Sequence, residues 1–147
     1  MQPFEHMKSV PAIPPGVIKD DAAFVALAID TALAGGAQSA VFCVNIGSID
    51  ADLAVLKVME AEAASDTVTL TTPTLVVDAL ATVVPGSSDD NKTVIIVVDL
   101  KARRKRYLQL QATAGNGAAG TYLAATAHFT NVGVPDVNGG ALALVRG

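Results

Sequence analysis

Apolar residues in this chain recur with a period of two, in short runs broken by Gly, Pro, Asp, Asn and Ser, a pattern that admits strands and little else. In FVALAID, residues 24–30, Val25, Leu27 and Ile29 alternate with Phe24, Ala26 and Ala28. AVFCVNI sets Ala40, Phe42, Val44 and Ile46 on one face, with Val41 and Cys43 opposite. RYLQLQATA does the same with Leu108, Leu110 and Ala112 against Tyr107, Gln109, Gln111 and Thr113. TVIIVVDL has an unbroken apolar centre, the mark of a strand covered on both faces or packed at an interface. ADLAVLKVMEAEAAS has helix-forming composition, but VLKVME within it also reads as a strand, and strand is the reading adopted.

About eight such runs with no helix alternating between them predict an all-β chain, a two-layer antiparallel β-sandwich. A jelly roll is preferred over an immunoglobulin-like order. The turn GNGAAG, residues 115–120, is expected to close a hairpin between RYLQLQATA and TYLAATAHF, with Gly115, Gly117 and Gly120 at positive φ. Pro3, Pro11, Pro14 and Pro15 oppose regular pairing, so residues 1–16 are predicted to be an extended N-terminal arm. Phe4, Val10 and Ile13 would then anchor that arm on a neighbour. At 147 residues, a single β-sandwich domain at 17–147 accounts for the rest.

The chain is 51% hydrophobic, yet Trp is absent and aromatics are 4%. Its apolar content is therefore small and aliphatic, suited to close-packed sheets and to surface buried in an assembly. No apolar run approaches the roughly 18 residues that cross a bilayer, so no membrane contact is expected. The first residues lack a secretory pattern, so maturation in a bacterial-type or host cytoplasm is expected.

Catalytic groups are scarce. Cys43 is the single cysteine and lies in a strand, where a core role fits better than a nucleophile. His6 and His128 are too few for a metal-binding barrel. Asp89, Asp90 and Asn91 read as a turn rather than a calcium loop. Glu60 and Glu62 would share one strand face, but without an aromatic sugar platform. GNGAAG has a superficial likeness to a dinucleotide loop, but the segment after it is a strand rather than a helix. No cofactor and no enzymatic activity are expected.

One feature breaks the acidic background of 14 Asp and Glu against 10 Lys and Arg. KARRKR packs Lys101, Arg103, Arg104, Lys105 and Arg106 between two strands, with Tyr107 following. Three readings stay open: a solvated turn, a protein-protein contact in which Arg forks meet carboxylates, or a nucleic-acid contact. The last is disfavoured by the net charge of −4 and by the lack of stacking aromatics.

The joined stretch DLKARRKRYLQLQATAGNGAAGTYLAATA resembles a segment of small virion proteins of tailed bacteriophages, and AFVALAIDT, VNIGSIDADLAVLKVMEAE and SSDDNKTVIIVVDL look like the matching earlier strands. The likeness covers residues 17–130. It implies a jelly-roll cement or decoration protein on the capsid exterior, bound to the major capsid protein and to itself as dimer or trimer. Tail, connector and head-fibre-base proteins are the alternative stations. A small β domain binding an anionic ligand is the alternative from another class.

Overall fold

A computed structural model of the chain describes residues 7–34, 37–130 and 143–146. The fold is all-β, with eleven strands among the described residues. These are β1 (Met7–Ile13), β2 (Ile29–Asp30), β3 (Ser39–Ile46), β4 (Val55–Ala61), β5 (Ala63–Ala64), β6 (Leu70–Thr71), β7 (Thr74–Asp78), β8 (Thr93–Asp99), β9 (Tyr107–Thr113), β10 (Leu123–Thr130) and β11 (Ala143–Arg146). One sheet has the order β1-β10-β3-β8-β11 and the other β2-β9-β4-β7, with β5 and β6 pairing on their own. Named pairs are antiparallel except β11 with β8, which is parallel.

The core lies between the sheets, and the period-two pattern built it. Phe42, Val44, Ile96, Val98, Ala127 and Phe129 of one sheet face Leu56, Val58, Leu108 and Leu110 of the other, all buried. Alternation along β10 runs buried, half-buried without interruption. VLKVMEA is a strand, as expected. The continuous apolar run of β8 is buried on both faces: Val94, Ile96 and Val98 join the main core, and Ile95 and Val97 join Val41 and Cys43 in a second cluster on the outer face.

Four expectations are corrected. First, residues 7–13 are no free arm. They form β1, an edge strand that pairs with β10 from Met7↔Thr130 to Ile13↔Ala125. Pro11 is tolerated because an edge strand needs no outward N–H, and the register shift between Pro11 and Ile13 turns Ala12 and Ile13 into the core. Ile13 is therefore 1% exposed and Val10, partly buried, packs against the core, so both side chains are engaged within the chain. Phe4 lies outside the described residues.

Second, β9 and β10 do not pair. They stand in opposite sheets, and residues 114–122 cross from one layer to the other. Alternation marks a core-facing side but does not distinguish strands paired edge to edge from strands stacked about 10 Å apart across a core.

Third, among Gly115, Gly117 and Gly120 only Gly120 has positive φ, at 89°. Fourth, residues 24–28 form no regular strand. Phe24 and Ala26 are buried while Val25 is exposed, and the N–H groups of Phe24 and Ala28 reach Ala112 O and Thr67 O.

Three of the four edges of the two larger sheets, β1, β2 and β7, are blunted. β1 carries Pro11 and its bulge, and β2 has two residues. β7 slips register against Val58 and Met59, leaving Val76 as the extra residue. Bulges and prolines of this kind discourage edge-to-edge pairing.

Candidate functional site

The basic residues sit on the loop that carries the chain from β8 in one sheet to β9 in the other. Carboxylates of the chain itself fix that loop. Asp99 Oδ1 accepts the Lys101 N–H at 2.8 Å, the side-chain turn typical of Asp. Arg104 Nε donates back to the Asp99 carbonyl at 3.0 Å. Glu60 Oε2 accepts the Lys105 N–H at 3.1 Å.

Arg106 is held most firmly. Its Nε and Nη2 donate to the two oxygens of Asp30 at 3.0 and 2.8 Å, the bidentate fork that only a guanidinium supplies. The guanidinium also lies 5.3 Å from the centre of the Tyr107 ring. Its carbonyl accepts the N–H and hydroxyl of Thr31. The Arg106 fork, helped by the Ala32 N–H, holds the Asp30 carboxyl below its ordinary value, and Asp30 in turn raises Arg106.

The structure therefore divides the cluster. Arg104 and Arg106 are spent inside the chain. The side chains of Lys101, Arg103 and Lys105 make no ion pair among the described residues, and Lys101 and Arg103 are exposed. Glu60 and Glu62 do not share a strand face: β4 ends at Ala61, Glu62 lies beyond it, and Glu60 serves the loop. Neither Asp30, 76 residues away from Arg106, nor Glu60 carries a local sequence signal for this role.

The other end of the sandwich is acidic. Loops there bring together Asp20, Asp21, Asp50, Asp52, Asp89 and Asp90, with Lys19 and Lys92. Many of these carboxylates cap backbone N–H groups: Asp90 takes Ile49, and Asp89 takes Gly86 and pairs with Lys92. The turn reading of Asp89, Asp90 and Asn91 fits this geometry, with Asn91 at φ 61°. Among the described residues no group of three or more His, Cys, Asp or Glu is placed to hold a metal ion.

GNGAAG does cradle an anion, but one from its own chain. Ala119 and Gly120 donate their N–H groups to Asp50 Oδ2, which holds that carboxyl below its ordinary value. Gly117 donates to Asp20 Oδ1 at 2.9 Å. A Cβ on Gly117 would lie 2.4 Å from both Asp50 oxygens, so the close approach requires glycine.

Cys43 sits half-buried beside Val41, Ile95 and Val97, and burial pushes its thiol up, away from nucleophilic character. His128 Nδ1 lies 2.7 Å from Ser9 Oγ, a cross-strand pair that ties β1 to β10. His6 falls outside the described residues. No helix among the described residues is long and apolar enough to cross a membrane. No family model, curated protein or solved structure matches the chain.

Proposed function

We propose that this chain is a structural protein of a tailed-bacteriophage virion, a cement or decoration protein that binds the capsid exterior and clamps neighbouring major capsid subunits. The observation that carries this reading is the division within the basic loop. Intramolecular contacts from Asp99, Glu60 and Asp30 hold the loop in shape, while Lys101 and Arg103 project outward. A preorganised cationic loop on a rigid sandwich suits docking onto carboxylates of another protein, because little ordering cost remains at contact.

The strand order supports a jelly roll. With β5, β6 and β11 set aside, β1-β10-β3-β8 faces β2-β9-β4-β7, the interlocked double Greek key of that architecture. The likeness of residues 17–130 to small virion proteins supplies the class of partner. Blunted sheet edges direct association to loops rather than strands.

Quantitative mass spectrometry of purified virions tests the proposal. A copy number commensurate with the major capsid protein supports a shell role. A copy number matching a single ring moves the chain to a tail or connector. Its absence from particles refutes the proposal.

A further inference from the structure

We infer that the carboxylate partner of the basic loop is the opposite end of a second copy of this chain, so that copies dock end to end. This rests on the reading of the loop as a docking contact and adds the identity of its partner.

The two ends of the sandwich differ in sign. Lys101, Arg103 and Lys105 crown one end, and Asp20 and Asp21 belong to the other, about 25 Å away along strands of seven or eight residues. The acidic end also carries an apolar centre. Val17 is 71% exposed, Tyr122 48% and Ile18 37%. They stand on adjoining stretches, since Lys19 and Thr121 exchange backbone hydrogen bonds at 3.0 and 2.7 Å. Beside them opens a hollow of about 280 Å³ lined by Pro15, Ile46 and Tyr122. An exposed aromatic among aliphatic residues with a charged rim has the anatomy of a protein interface.

Charge selects the occupant. An acidic rim admits a cationic partner and repels like ends, and this chain concentrates five of its ten basic residues at the other end of the same body. Seating the loop of one copy on the Tyr122 end of the next satisfies both surfaces. The contact is heterologous, so copies continue into rings or rows. It leaves the blunted sheet edges unused.

Sedimentation velocity without particles tests this across a salt series. The parent is expected to self-associate at low salt and dissociate as salt rises. The double variant Lys101→Glu, Arg103→Glu should weaken association about tenfold or more; among the described residues these side chains have no ion-pair partner to lose, so the fold is preserved. Asp21→Lys with Asp52→Lys should weaken it likewise; both residues are exposed and neither carboxylate accepts a hydrogen bond among the described residues. Mixing the two variants should restore association, because each then meets an end of opposite sign. Tyr122→Ser should weaken association with little change in its salt dependence.

A parent that stays monomeric at low salt overturns the inference, as does a loop variant that associates like the parent or a mixture that stays dissociated. If loop variants lose particle binding while the parent shows no self-association, the docking role of the loop stands and its partner is the shell.

Discussion

The carboxylate of Asp50 accepts the backbone N–H of Gly120 at 2.8 Å, joining two loops 70 residues apart in sequence. The Ala119 N–H converges on the same oxygen. A glycine-rich turn that resembles a phosphate cradle is thereby filled by a side chain of its own fold. Its function is to lock the loop between β9 and β10 onto the loop after β3, at the point where the chain changes sheet.

Gly117→Ala tests that lock. The added Cβ would collide with both Asp50 oxygens at 2.4 Å, so the carboxylate must shift from the N–H groups it accepts. A loss of about 1 to 3 kcal/mol is expected in denaturant unfolding, the usual cost of overpacking. An unchanged midpoint would show that the two loops do not bear on each other.

Acid should loosen the molecule in a defined direction. Asp30 is held below its ordinary value of 3.8 first by the Arg106 fork, Asp50 by the Ala119 and Gly120 N–H groups, Asp66 by the Val68 N–H and Asp89 by the Gly86 N–H. Because the unfolded chain takes up protons first as pH falls, these groups stabilise the fold fully above about 3.8 and lose that contribution as pH drops through the folded values. Tm should therefore fall steeply below about pH 4, and Asp50→Asn should flatten the slope. A Tm constant through that range would contradict the assignment.

Arg103 and Arg106 should separate in thermal unfolding although they are three positions apart. Arg106→Gln breaks the fork on Asp30 and is expected to lower Tm by about 1 to 3 °C, while Arg103→Gln should leave it within about 1 °C. Equal shifts would show that the Asp30 contact does not hold the loop.

Ile13 carries the correction to the amino-terminal segment. If residues 7–13 were a free arm, Ile13→Ala would leave stability untouched. With Ile13 buried at the end of β1, the substitution should cost about 2 to 5 kcal/mol. A neutral outcome would return the segment to an arm.

Sequence patterning revealed faces more fully than neighbours. In AVFCVNI and RYLQLQATA the alternation identified the core-facing residues Ala40, Phe42, Val44, Ile46, Leu108, Leu110 and Ala112, because a strand beside a core has one apolar side. It could not tell that β9 and β10 stand in opposite sheets, since pairing and stacking demand the same alternation. Pro11 misled for a related reason: proline forbids a central strand, but an edge strand with a bulge accommodates it. The basic cluster was visible at once, whereas its division was not. Asp30 and Glu60 reach the loop only through the fold, and no local spacing links either to KARRKR. Asp50 was invisible as a ligand of GNGAAG for the same reason.

Binding to purified shells by the parent and by a Lys101→Glu, Arg103→Glu variant tests the docking role most directly. The variant should unfold at the parent's temperature, because neither side chain has an ion-pair partner within the described residues. Its occupancy on shells should fall about tenfold or more, with the parent's binding weakening as salt rises. Occupancy equal to the parent's at every salt concentration would contradict docking of the loop on the shell.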